Sequence, residues 1–259
     1  MAKNHSILPT AAHRPKGMDH SSMLWFSRHG LGKTTLFNQI DDGLSVDLEG
    51  GTRLLHATAV EPRSWEEVIG VLDALETENH GFRAVSIDTA DRAWSLLEEY
   101  VCRELGVPHM GAANRGKDWA LAKARWSRFV YRVINLKAAD GRKIFPVFIC
   151  HEKLIPMTER RNGAAIETGR SLVSVNLPNS AKVILCSAVD FVFHLFLDEE
   201  TGRRMLRTQA VDTPEYRIEA KGRGEPGCEL PPVIYADPRS MEAEFKKAFD
   251  TEGGTSASS

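Results

Sequence analysis

An α/β fold with a mostly parallel sheet is what this 259-residue sequence predicts, on three observations. Short apolar runs alternate with helical periodicity four times over. Three of the runs end in polar or acidic residues, at the strand ends where such sheets gather their ligands. The first run, Leu24-Trp25-Phe26, enters a turn that closes on Gly32-Lys33-Thr34-Thr35. That is the grammar of a phosphate-binding loop between a buried strand and a helix.

Taken in order, residues 1–21 are polar and His-rich and read as a flexible leader. The first strand begins at Leu24, and the helix after Lys33 is short because Asp41-Asp42-Gly43 stops it. Leu44–Glu49 reads as a second strand ending in carboxylates. Ser64-Trp65-Glu66-Glu67 has the form of a capping box, and Trp65, Val68, Ile69, Leu72 and Leu75 follow at helical spacing. Arg83–Asp88 is a third strand, followed by a helix over Ala90–Leu105 and a Gly-rich loop. Asp118 is expected to cap a long helix to about Ala139, with Trp119, Ala122, Trp126, Phe129, Val133 and Leu136 inward. Ile144–Cys150 is apolar throughout, as for a strand covered on both faces. The polar stretch 153–175 reads as a long irregular loop. A helix over 178–188 then leads to a strand over Phe191–Leu197 and a hairpin into Arg203–Gln209. A further strand is expected at Tyr216–Ala220, a helix at Met241–Phe249 and a disordered tail at 251–259. Residues 22–250 thus form one domain, with a C-terminal antiparallel hairpin extension.

Composition narrows the function. Hydrophobic residues make up 42% of the chain and charged ones 26%, as in an ordinary globule. The net charge of −2 excludes a globally basic nucleic-acid binder, so any such contact is local. Four widely spaced cysteines without a C-x-x-C pair argue against a zinc ribbon or disulfide framework and for a reducing cytoplasm. No run approaches the roughly 18 apolar residues of a membrane span.

The loop chemistry points to ATP and Mg²⁺. Backbone amides of Arg28, His29, Gly30, Leu31, Gly32, Lys33, Thr34 and Thr35 would surround an anion at a helix N-terminus. Lys33 would reach the β- and γ-phosphates, and Thr34 would ligate Mg²⁺. Ser27 stands where G-x-x-x-x-G-K-[ST] has its first Gly, which places the loop entry under question. Asp88 follows Val-Ser-Ile and would hold the metal through a water. Glu49 or Asp47 would orient the attacking water, and strand alternation alone leaves the choice open. His151 is either a γ-phosphate sensor or a structural histidine. Arg125, Arg128 and Arg132 share one helical face, readable as a solvated side or as a phosphate track.

The order of these motifs over about residues 22–225 resembles the RecA-like P-loop ATPase core. It is most similar to the compact phage nucleotide-binding or single-strand-annealing ATPases. The resemblance implies a Mg-dependent, DNA-stimulated ATPase that promotes strand annealing or exchange in phage-type homologous recombination, in the host cytoplasm. It implies catalytic roles for Glu49, Lys33 and His151, the last at a position usually held by Gln. Stretch 153–175 corresponds to a DNA-binding loop, with Lys153, Arg160, Arg161 and Arg170 as its cations. Lys221 and Arg223 correspond to a pair that reaches a neighbour's γ-phosphate, which implies a homo-oligomer with an inter-subunit ATP site. Single-stranded DNA is the implied partner, and a single-strand-binding or replication protein a further candidate. The alternatives are a nucleotide-gated DNA- or protein-binding module with little turnover, and a small P-loop kinase using Arg160-Arg161 as a lid.

Overall fold

A computed structural model describes residues 17–161, 164–224 and 227–249, without the side chains of Arg161 and Ala164. Most of the expected leader and the whole expected tail lie outside the described residues. The described chain opens inside the expected leader: Met18–His20 form a 3-10 turn, and Ser21 is buried against it.

The elements run β1 (Met23–Ser27), α1 (Lys33–Phe37), β2 (Gly43–Asp47), β3 (Ala59–Val60), α2 (Trp65–Thr77), β4 (Ala84–Asp88) and α3 (Ala90–Leu105). They continue with α4 (Lys117–Ile134), β5 (Phe145–Arg161), β6 (Ala164–Val175), α5 (Asn179–Ala188), β7 (Phe191–Leu197) and β8 (Arg204–Arg207). The described chain closes with β9 (Val211–Asp212), β10 (Tyr216–Ile218), β11 (Val233–Tyr235) and α6 (Pro238–Phe249). The main sheet has the order β11-β8-β7-β1-β5-β4-β2-β3, parallel from β7 to β3 and antiparallel at β8 and β11. One strand, β5, is inserted between the loop-bearing β1 and the acid-tipped β4.

Alternation along the central strands divides the core. Leu24 and Phe26 face the α2–α5 layer with Val85, Ile87 and Phe148, whereas Met23 and Trp25 face α1 and α6 with Val147, Ile149 and Phe193. Helix starts follow local chemistry. The Ser64 hydroxyl accepts from the Glu67 amide at 3.2 Å and Thr89 accepts from Arg92 at 3.3 Å. Asp118 does not cap α4, which begins at Lys117. Its carboxylate takes the Trp119 amide within the first turn and the amides of Gly111 and Ala113, which ties down the preceding loop. Trp119 is 41% exposed rather than buried on the inner face, and α4 ends at Ile134, although Leu136 beyond it is buried.

The main departure from expectation is the stretch 153–175. β5 does not stop at Cys150 but runs on to Arg161 and returns as β6, an antiparallel arm with a register shift between Pro156 and Thr158. β10 joins the arm's base in parallel with β6, and β9 follows it. Polar side chains hid this hairpin because both of its faces are largely solvated, so neither apolar alternation nor a turn signature marks it. On α4, two of the three arginines on one face are engaged by neighbouring helices. Arg125 pairs with Glu104 of α3, and Arg132 pairs with Asp73 and Glu76 of α2, at 2.5, 2.5 and 2.7 Å.

Trp126 is the centre of the helical layer. It is fully buried, packs edge-on to Trp94, and donates its indole N–H to the Ala181 carbonyl at 3.1 Å. Trp126→Ala should therefore cost about 4 kcal/mol of stability in urea unfolding. A loss under about 1 kcal/mol would show that this layer does not carry the fold.

Candidate nucleotide site

The residues singled out by the motif reading converge at the carboxyl edge of the sheet. β1 delivers the chain into a turn in which Gly30 and Gly32 have φ of 79° and 83°, conformations that side chains resist. Ser27 lies outside the left-handed region, so its backbone is not strained by the missing glycine. Its hydroxyl and carbonyl each accept from the Lys33 ammonium at 3.1 Å, and the Arg28 carbonyl does so at the same distance. Burial lowers the Lys33 pKa, opposed by the nearby Asp88 carboxylate.

The Thr34 hydroxyl donates to Asp88 Oδ2 at 2.6 Å, joining the start of α1 to the end of β4. Asp88 is buried, and burial pushes its carboxyl up to about 6, with Asp47 and Glu49 adding to the shift and the Thr34 hydrogen bond opposing it. Hard oxygen donors beside an anion-binding turn fit Mg²⁺, with Thr34 and Asp88 as the residues that would hold it.

The choice between Asp47 and Glu49 becomes a geometric matter. β2 ends at Asp47, whose Oδ1 accepts the amides of Glu49, Gly50 and Gly51 and whose Oδ2 accepts the amide and hydroxyl of Thr52. Burial works to raise the Asp47 pKa, but the Thr52 and backbone hydrogen bonds prevail and lower it. Asp47 is thus occupied in shaping a loop. Glu49 lies on that loop beyond the strand end, accepts from the Thr89 hydroxyl at 2.9 Å, and keeps a partly exposed side chain.

His151 pairs with Ser27 across the sheet and is buried. Its Nδ1 lies 2.9 Å from Asp91 Oδ2, its Nε2 lies 3.8 Å from Glu49, and its ring stacks on His29 at 3.6 Å. Burial tends to raise Asp91, yet His151 holds it below the usual carboxylate range. Next along β5, Glu152 crosses to β7 and bonds His194 Nε2 at 2.9 Å. Asp91, Thr89 and His194 were not singled out from sequence. The available signal for Thr89 and Asp91 was their place one residue and one turn past the strand-end acid Asp88, whereas His194, inside β7, carried none.

Other expected residues lie elsewhere. Lys221 pairs with Val192 at the opposite end of β7, and its ammonium caps α5 through the carbonyls of Cys186, Ser187 and Val189. Arg223 reaches Asp190 at 3.3 Å and stays over half exposed. Of the arm cations, Lys153 donates to the Leu177 carbonyl and Arg170 pairs with Asp212, while Arg160 is exposed. The Arg161 side chain lies outside the described residues. A kinase lid from Arg160-Arg161 does not fit, because the pair sits about 30 Å of strand beyond His151 and within β-pairing to Ala164 and Ala165.

The strand order, the loop and the acid-tipped neighbours define a RecA-like P-loop NTPase. Residues 19–223 match the sequence profile described as the AAA domain, and the chain belongs to that family. No curated protein matches it. Among solved structures it is similar to the crystal structure of the RadB recombinase, with a TM-score of 0.42 and 14% identity over 78% of this chain and 92% of that one. Among the described residues, no helix is long and apolar enough to cross a membrane.

Because the folded Asp88 pKa lies above its unfolded value, the charged group opposes folding by about 3 kcal/mol above pH 6. That opposition fades as pH falls from about 6 towards 3.8. Asp88→Asn should thus melt higher than wild type at pH 7.5 without Mg²⁺, by about 5 °C, and the gap should roughly halve by pH 5 and close towards pH 4. An equal gap at pH 7.5 and pH 4 would contradict the raised pKa.

Proposed function

We propose that the protein binds Mg-ATP at the Gly30–Thr35 turn and hydrolyses it through a water held by Glu49. We further infer that it couples nucleotide state to single-stranded DNA, as an oligomer promoting strand annealing or exchange in phage-type recombination in the cytoplasm. The observation that carries the ATPase reading is the 2.6 Å Thr34–Asp88 contact, with Glu49 held beside it by Thr89. When bound, magnesium would neutralise charge on the phosphate oxygens. Lys33 would turn from the carbonyls of Ser27 and Arg28 to the β- and γ-phosphates. Glu49, the carboxylate left free by Asp47's loop duty, would accept the water's proton. His151, oriented by Asp91, would present Nε2 to the γ-phosphate.

The arm supports the DNA part. β5 leaves the main sheet at His151-Glu152 and becomes the arm, so a shift at the γ-phosphate would be felt at the arm's root. Nucleotide binding would re-aim an existing hairpin rather than order a loop. Arg160 is the arm's exposed cation, Arg161 is its neighbour in sequence, and Lys153 and Arg170 would strengthen the base. For an inter-subunit ATP site, Arg223 is the better candidate of the pair, since the Lys221 ammonium is taken up by α5. The clamping of His151 between Asp91 and His29 favours a second reading, a nucleotide-gated binding module with slow turnover.

Steady-state ATPase assays with and without single-stranded DNA separate the two. Glu49→Gln should lower kcat by about 100-fold or more while Mg-ATP binding persists, and Lys33→Ala should lose binding. Unchanged turnover in Glu49→Gln would remove Glu49 from the mechanism. Gel mobility of labelled single strands should depend on ATP or a non-hydrolysable analogue, and no shift in any nucleotide state would end the DNA reading.

A further inference from the structure

Arg204 is the first residue of β8, and nothing in the motif pattern marks it. Its guanidinium lies on the phosphate-binding turn. Nη1 is 3.5 Å from the Gly32 carbonyl, and a Cβ built on Gly32 would fall 2.3 Å from the same nitrogen. Gly32 is therefore bare for two reasons, its φ of 83° and the arginine that fills the space of the missing side chain. Among the described residues Arg204 has no carboxylate partner, so a cation rests against a turn of amides with one long hydrogen bond to hold it. A cleft of about 550 Å³ opens beside it, with Arg203, Tyr235 and Asp237 on its walls, so the guanidinium is reachable from solvent.

The backbone under Arg204 is pinned on three sides. Asp198 and Arg203 close the β7–β8 turn at 2.8 Å, Leu197 pairs with Arg204, and the Arg204 carbonyl accepts from Ala236 at 3.0 Å. Such a cation needs little reorganisation to meet an anion. Strand order fixes the side from which it approaches. Asp88, Glu49 and His151 reach the turn from the β5-β4-β2 side, whereas Arg204 comes over β7 from the other flank of β1. A nucleotide whose γ-phosphate and metal lie toward the carboxylates must extend its remaining phosphates toward β8.

Resting on the nucleotide reading above, we propose that Arg204 is a phosphate-binding residue that grips the α/β end of the nucleotide in cis. The site then holds ADP as firmly through this contact as it holds ATP, and this grip needs no neighbouring subunit.

Titration calorimetry with ATP and with ADP, each with Mg²⁺, tests this on wild type, Arg204→Ala, Arg204→Lys and Lys33→Ala. Arg204→Ala should weaken ATP and ADP by a similar factor, about 10- to 100-fold, as for loss of a charged hydrogen bond. Arg204→Lys should recover part of the loss, since it keeps the charge without the fork. The melting temperature without nucleotide should match wild type, separating a ligand contact from a structural one. Wild-type affinity for both nucleotides in Arg204→Ala, with Lys33→Ala impaired, would overturn the proposal and leave the nucleotide reading standing. Loss for ATP alone would overturn the placement at the α/β end. If wild type takes up neither nucleotide, the reading beneath the proposal fails and takes it along.

Discussion

A carboxylate buried at the junction of two loops is the constraint around which the carboxyl edge of this sheet is arranged. Asp88 lies out of water, near two other acids, and among the described residues its carboxylate is relieved by the Thr34 hydroxyl. In a low-dielectric site a second cation stabilises such a group far more than it would at the surface. The turn at Gly30–Thr35 supplies the complementary half, a set of amides and a lysine whose ammonium rests on the carbonyls of Ser27 and Arg28. Each half is costly alone, and a metal–nucleotide complex would satisfy both.

The surrounding residues divide the work so that few charges are left uncommitted. Asp47 is consumed by four amides and a hydroxyl, and that cradle is what sets the loop from which Glu49 projects. Asp91 is consumed by His151, which fixes the ring so that one nitrogen is turned toward Glu49. Glu152 is consumed by His194. These pairings are structural in themselves, yet each one orients a group at the site.

β5 links that site to the rest of the molecule. Its first half lies between β1 and β4 in the parallel sheet, and its second half is one side of the antiparallel arm. The change of partner falls at His151 and Glu152, between the two strands' worth of hydrogen bonds. A strand is stiff along its length except where its pairing is interrupted. Glycine or proline could soften it, and here Pro156 coincides with the register shift near the base.

Sequence alone determined the layered α/β class, the turn and its helix, the acid-tipped strands and the long helices. In each of these, apolar period or capping chemistry is local and strong, as at Ser64 and Val85–Asp88. Tertiary structure decided the rest. The solvated arm had no apolar face to announce it, and β3 and β11 are too short to carry a pattern. Asp47 and Glu49 could not be told apart by alternation because the strand ends between them. Lys221 proved to be a helix cap, and Arg204 proved to lie on Gly32, 172 residues away in sequence. Contacts of that kind depend on how the sheet is ordered, and strand order is set by packing over the whole domain, which no local window of residues encodes.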